Sequence, residues 1–377
     1  MDGAIEDLAN RKKARSVTGL HATAFGAAGG RPRRYIQIAR MHQPGKVVVT
    51  RGGIEESAHA VRYAESDPNG AIVASGGDVE QPTFLRSSAK PLICAAVVAS
   101  GAADRFGFTE AEIALIAGSH SGEPFHVAAA RSMLSKAGLT EDDLRCGPHA
   151  PYNAKAARDL AAAGIEPGRI HNNCSGKHAG ILALAVHLGA GAEGYLEATH
   201  PAESAILNGC AEMLGVPRAS FAIGIDGCGI PAIATPLVVA ARFFAKFASP
   251  DRFAPSWRES LVRVRDAMMA FPEMVAGTGE FDTDLMRSAR GDIVAKGGAE
   301  GYHASAALRR GIGLCAKVID GNSRAIPPFV VTALETENAI SAGQTQTLAE
   351  HGRKVVINRA GTVTGEIYAD PGSIARG

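Results

Sequence analysis

The sequence has no dominant charge: 39 Lys and Arg stand against 38 Asp and Glu over 377 residues, a formal net charge of +1. No field of one sign is available to hold nucleic acid or a membrane surface, so a small-molecule partner is expected. Long apolar runs are missing too. The two longest uncharged stretches, residues 91–103 and 227–241, fall short of the roughly 18 to 20 residues that a membrane span needs, and Pro231 and Pro236 interrupt the second. Cysteine is sparse. Cys94, Cys146, Cys174, Cys210, Cys228 and Cys315 are scattered, with no secretory signal peptide in front of them. That pattern argues against a disulfide framework and for reduced thiols or metal ligands. No internal repeat or linker-like segment divides the chain. At 46% apolar and 20% charged residues it can bury a large core, which excludes fibrous and disordered classes.

Glycine, by contrast, is abundant at 44 residues, above the average of roughly 7%. Many tight turns and close backbone approaches follow, as in an α/β or α+β enzyme. Residues 1–40 hold eight basic and three acidic residues and show no sustained apolar periodicity. They are expected to be an unstructured tail, with Met41 a candidate natural start and residues 41–377 a single domain. Residues 46–54, 58–64 and 70–76 read as short strands divided by Gly, Asn and Pro turns, an antiparallel meander. From Pro91 to about Leu261 the pattern is helical. It carries a capping-box signature from Thr109 to Glu112, a stop at Gly138, and an apolar helix over 180–188 ending at Gly189. Strand-like runs return at 292–296, 314–321 and 354–358. The expected fold is therefore α+β (mixed α/β), one antiparallel sheet from both chain ends covered by a helical block.

The first chemical constellation is Arg86-Ser87-Ser88-Ala89-Lys90-Pro91. If a helix begins here, Ser87 and Lys90 share a face, and a desolvated, neutral Lys can take the hydroxyl proton. The helix N-terminus would also favour a developing oxyanion. Alone, the motif is weak and reads more simply as an N-cap serine with a solvated lysine. Its company matters more. Serine β-lactamases and penicillin-binding proteins follow Ser-x-x-Lys with Ser-x-Asn and a Lys-x-Gly on a late strand. Here Ser119-His120-Ser121 and Lys296-Gly297-Gly298 occur in the same order, with Ser121 in place of Asn and Gly297 in place of Thr.

The second constellation runs from Asn172 to Gly180. Its Gly176-Lys177 resembles a phosphate loop, but His171 and His178 stand where Gly and Ser or Thr are required, so nucleotide binding is rejected. Cys174 with Lys177 or His178 could share a metal with a further cysteine, and Cys228 sits in a Gly-rich turn able to approach closely. From residue types alone, two buried free cysteines acting as small hydrophobes is the simpler reading.

Taken together, several motifs resemble the asparaginase II family, the Rhizobium-type L-asparaginases. They are Gly52-Gly53-Ile54 with Glu56, His59 and Val61; Arg86-Ser87-x-x-Lys90-Pro91; Ser119-His120-Ser121; Cys146-Gly147-Pro148-His149; Asn173-Cys174-Ser175-Gly176-Lys177-His178; Asp226-Gly227-Cys228; residues 272–277; and Lys296. The match runs from about Val47 to near the C-terminus, and the tail has no counterpart. The resemblance implies a fold like serine β-lactamases and glutaminases, and hydrolysis of L-asparagine to L-aspartate and ammonia. It implies two catalytic Ser-Lys tandems, Ser87 with Lys90 and Ser119 with Lys296. It implies Zn²⁺ on Cys174, Lys177 and Cys228, which reverses the simpler reading of the cysteines, and Arg86, Asp226 and His178 as substrate-binding residues of the same pocket. A cytoplasmic homodimer without nucleic-acid or membrane partners is also implied. In this scheme Ser87 attacks, Lys90 accepts its proton, the Ser119 and Lys296 pair passes a proton to departing ammonia, and zinc orients the substrate. Lysine as a ligand must be neutral, so the metal has to hold its pKa far below about 10.4. Rivals are a serine hydrolase of β-lactamase or glutaminase type acting on another amide, and a non-catalytic amino-acid-binding relative, against which the full Ser and Lys set argues.

Overall fold

Short apolar runs divided by glycine turns build the central sheet. A computed structural model describes residues 43–374; the tail expected over residues 1–40 lies outside them. Strand β1 (Gly45–Arg51) buries Val47, Val48 and Val49 and turns at Gly52 and Gly53 into β2 (Ile54–Ser66). Both turn glycines have positive φ, +55° and +82°, which a side chain would resist. Strand β2 is long enough to serve three neighbours. It pairs with β1, with β3 (Ile72–Gly76), and with β9 (Ile312–Val318).

A second, smaller sheet holds β4 (Thr83–Phe84), β5 (Ala222–Ile225) and β6 (Pro231–Thr235). The chain's last third adds β7 (Ile293–Gly298), β8 (Tyr302–Ala307), β10 (Arg353–Ile357) and β11 (Val363–Ala369) to the first. The main sheet is antiparallel, ordered β10-β11-β1-β2-β9-β8-β7 with β3 beside β2. The two chain ends pair as expected, Val47 opposite Ala369.

Helices cover this sheet. Helix Leu237–Ala248 packs Phe243, Phe244 and Phe247 into the core beside β2, β8 and β9, and Ile326–Thr336 lies against β1 and β11 with Phe329 on Tyr63. The helical block forms where the sequence indicates. Thr109 Oγ1 accepts from Glu112 N at 3.3 Å, and Glu112 Oε2 accepts from Thr109 N at 2.7 Å, a reciprocal cap worth about 1 kcal/mol. Helix Pro124–Lys136 stops before Gly138, and helix Ser175–His187 before Gly189. The expectation of an unbroken helical block fails at residues 222–235, where β5 and β6 form. Runs of four and five residues give no periodicity to separate strand from helix. Among the described residues, no helix is long and apolar enough to cross a membrane.

Candidate active site

Ser87 sits where a strained turn enters a buried helix. Arg86 has φ +50°, a left-handed conformation that costs a side-chain-bearing residue energy and is held by its surroundings. The turn Arg86–Ala89 runs straight into helix Lys90–Ala99, with Pro91 in its first turn, where a missing N–H costs nothing. Ser88 Oγ donates to Lys296 O at 2.7 Å, so this turn is fastened to β7.

The four catalytic candidates converge, with Lys90 hydrogen-bonded to Ser119. Lys90 Nζ donates to Gly118 O at 2.6 Å and to Ser119 Oγ at 2.7 Å, with Asn173 O at 3.5 Å. The hydroxyl it holds is thus Ser119's rather than Ser87's. Burial pushes the Lys90 pKa down to about 8. Lys296 Nζ donates to Gly297 O at 2.7 Å and lies 3.7 Å from Asp282 Oδ2. Burial lowers its pKa too, with Asp282 opposing. Asp282 is buried, accepts from Gly297 N at 2.6 Å, and lies 3.1 Å from His303 Nε2. Burial alone would favour its neutral form, but the His303 hydrogen bond and the Lys296 charge hold it well below the usual carboxylate range.

The Ser119-His120-Ser121 loop is tied to the cysteine motif. His120 N donates to Asn173 O at 3.1 Å, and Ser119 N to Val275 O at 2.7 Å. Gly122 N donates to His120 Nδ1, so the neutral ring offers Nε2–H to Ser175 Oγ, 2.9 Å away. Asn172 donates from Nδ2 to Cys146 O and Gly147 O while its Oδ1 accepts from Cys174 N at 2.8 Å, which gives the Cys146-Gly147-Pro148-His149 segment its role as a support. Gly176 lets helix Ser175–His187 press against Leu115. A Cβ there would stand 2.4 Å from Leu115 Cγ, so this close approach carries Cys174 and Lys177 toward Ser119.

Cys174, Lys177 and Cys228 also meet, all buried. Lys177 Nζ donates to Cys228 Sγ at 2.9 Å. A hydrogen bond from Cys228, with Lys177 beside it, holds the Cys174 thiol well below its usual range, and the Cys228 thiol is pushed up by that same bond and by burial. Burial opposes charge on Lys177, but the Cys174 and Cys228 sulfurs outweigh it and raise the pKa. Among the described residues no three His, Cys, Asp or Glu side chains gather as a metal site; the donor set here is two sulfurs and one amine. Asp226 accepts from Arg86 Nε at 2.9 Å, with a second guanidinium nitrogen at 2.8 Å. His178 is held by Tyr195 Oη, 2.7 Å from Nδ1, and lines neither cavity at the site. It braces the wall instead.

Two cavities flank Ser87, and it is their one shared lining residue. The smaller, about 20 Å³, has Arg86, Lys90, Lys177, Glu203 and Asp226 in its wall. The larger, about 430 Å³, has Ser119, Asp282, Lys296 and His303. Asp282 and His303 belong to no spacing motif. The β7–β8 register sets His303 opposite Gly297, and the first turn of helix Phe281–Ala289 brings Asp282 to the same strand.

Among individually curated proteins none matches the chain. Solved structures that resemble it include Mglu in its native form, 17% identical over 70% of this chain and 61% of that one with TM-score 0.32. Another is a Bacteroides dorei DSM 17855 protein provisionally described as a beta-lactamase, 14% identical over 77% of this chain and 93% of that one with TM-score 0.35. The sequence profile of L-asparaginase II matches residues 47–369, from β1 to the end of β11, and the chain therefore belongs to the L-asparaginase II family.

Proposed function

We propose that this protein, an amidohydrolase by family, hydrolyses the side-chain amide of L-asparagine to L-aspartate and ammonia through an acyl-enzyme on Ser87. The observation that carries this reading is the place of Ser87 between the two cavities. On one side Arg86 and Asp226 hold each other as an ion pair. An amino acid's carboxylate and ammonium can replace each partner in turn, which fixes the α end and directs the amide at Ser87. On the other side stand Ser119 and Lys296. Ser87 Oγ attacks the amide carbon, and its proton passes to Lys90, whose neutral form burial favours. The departing nitrogen takes a proton delivered by Ser119 and Lys296, and water then cleaves the ester.

Cys174, Lys177 and Cys228 fit zinc by donor chemistry: two sulfurs and an amine, buried together, with one sulfur already favouring the thiolate. They would hold the ion once Lys177 gives up its proton. Zinc there would supply a fixed positive charge beside the Arg86 and Asp226 side of the site. As part of the same reading we assign the enzyme to the cytoplasm as a homodimer, which sedimentation of the purified chain would check for its oligomeric part.

Ammonia release from L-Asn, L-Gln and D-Asn tests the proposal. Release from L-Asn and none from D-Asn is expected, since Arg86 and Asp226 fix the handedness of the α-carbon. No release from any of the three, together with covalent labelling of Ser87 by penicillin, would transfer the site to the rival serine-hydrolase reading.

A further inference from the structure

The two spaces around Ser87 are very unequal, and the larger lies on the side of the leaving group. In the reading above, the α-carboxylate and α-ammonium reach toward Arg86 and Asp226, where the free space is about 20 Å³, room for about one water, and the walls are closed by Ile93, Ile206 and Ile233. The departing nitrogen faces Ser119 and Lys296, where the free space is about 430 Å³. Ammonia needs little more space than one water, about 10 to 15 Å³ measured in the same way. The room provided is instead that of a pocket for a whole small molecule, typically about 300 to 1,000 Å³.

Its lining is chosen for more than ammonia. Tyr152, Phe281, Ile326 and Pro327 give it aromatic and aliphatic walls. Of the charged groups on it, Asp282 is taken by Gly297 N, His303 and Lys296, and Glu280 stands on the same wall. Tyr152 is 65% exposed and stacks on His149 at 4.8 Å, so the cavity is bordered at its mouth by a flat ring. A substituent on the amide nitrogen points away from the acyl carbon, and so into this space.

We propose that the enzyme also cleaves N4-substituted L-asparagines whose leaving amine is apolar, aryl or alkyl, with the amine's substituent held in the cavity bordered by Tyr152 and Phe281. This rests on the Ser87 reading given above. The Ser87 Oγ–carbon bond forms and the amide C–N bond breaks, its electron pair staying on nitrogen. The serine proton goes to Lys90, and nitrogen takes one from the Lys296 ammonium through Ser119, so the free amine departs. Water then adds to the ester, giving its proton to the Lys296 amine while Lys90 returns one to Ser87. The products are L-aspartate and the amine.

The test uses the purified full chain with the β-(4-nitroanilide) of L-aspartate, read as 4-nitroaniline, and L-asparagine, read as ammonia, in parallel. Release of 4-nitroaniline is expected at kcat/KM no more than about 10²-fold below that for L-asparagine, the scale on which apolar pockets discriminate. Tyr152→Ala should raise KM for the anilide several-fold and leave KM for L-asparagine unchanged. Ammonia from L-asparagine with neither 4-nitroaniline release nor competition by the anilide would overturn this inference and leave the asparaginase reading standing. An anilide KM untouched by Tyr152→Ala would also overturn it, because the leaving amine would then lie elsewhere. Failure of both substrates in folded protein would instead remove the Ser87 reading on which it depends.

Discussion

Lys90, on the helical side of the site, and Lys296, on the sheet edge, are each only 1% exposed, yet they sit in opposite surroundings. Lys90 is met by two carbonyl oxygens at 2.6 and 3.5 Å and the Ser119 hydroxyl at 2.7 Å, with the Cys174 sulfur beside it. Lys296 is met by a buried carboxylate, Asp282, 3.7 Å away. Burial lowers both pKa values, but only Lys296 has a carboxylate to restore its charge. Two identical side chains are thereby divided into a base that gives up its proton readily and an acid that keeps it. Lys177, equally buried but facing two sulfurs, is drawn into a third setting. Residue type alone does not assign these roles; the partner does.

The largest effect should come from Ser87→Ala, which removes the nucleophile both lysines serve. Turnover should fall by at least about 10⁴-fold, while the melting temperature stays within error because a methyl fits where a hydroxyl did. A variant still acylated by substrate would move the nucleophile to Ser119. Next in size, Lys90→Met and Lys296→Met should each cost about 10² to 10⁴ in kcat. Their pH profiles are where the comparison can break. In the unaltered enzyme the rate should rise with pH through about 8, because Lys90 works in its neutral form. It should fall again as Lys296 loses its proton. Lys90→Met should abolish the rising limb and Lys296→Met the falling one; the reverse pattern would exchange base and acid.

Smaller still, and sharper, is Asp282→Asn, which keeps the shape and removes the charge. Without that carboxylate Lys296 loses the partner that favours its ammonium, so the falling limb should move to lower pH with the rising limb in place. Near neutrality kcat should drop by about tenfold, less than the roughly 10²-fold or more that outright loss of a general acid costs. An unmoved limb with a lowered melting temperature would make Asp282 a structural residue only.

Much of this was legible before any coordinates. Val47 to Val49 and the strand-like run over 354–358 announce a sheet from both ends, and Thr109 with Glu112 marks a helix start that forms as read. Ser87, Lys90, Ser119 and Lys296 are legible because catalytic serines and lysines recur in motifs. Strand β8 was missed because its Ala-rich six residues are all buried and show no alternation. The contact of Lys90 with Ser119 spans 29 residues and depends on the loop after helix Glu110–Ile116, which no spacing rule encodes. Asp282 and His303 escape for the same reason: His303 comes to the site through strand register, and Asp282 through the packing of helix Phe281–Ala289 on β7. The resemblance implies His178 as a substrate-binding residue, but its ring is held by Tyr195 and lines neither cavity.

The smallest effect concerns the metal, and it separates the two sides of the site again. The proposed ligands Cys174, Lys177 and Cys228 all belong to the Lys90 side, Lys177 lining the same cavity as Lys90. Purified protein prepared without chelator should therefore contain about one zinc per chain, and Cys174→Ser or Cys228→Ser should each lower that content, since thiolates supply most of the soft donor strength. Lys296→Met should keep it. Affinity for zinc should weaken as pH falls, because protons compete for both sulfurs and for the lysine nitrogen. An ion that only orients the amino-acid end acts equally in ground and transition states, so its removal should raise KM for L-asparagine and leave kcat nearly unchanged. Elemental analysis paired with steady-state kinetics decides the matter. Metal-free protein with an unaltered KM would leave Cys174 and Cys228 as buried thiols sharing a proton, and would make Arg86 and Asp226 sufficient to orient the substrate.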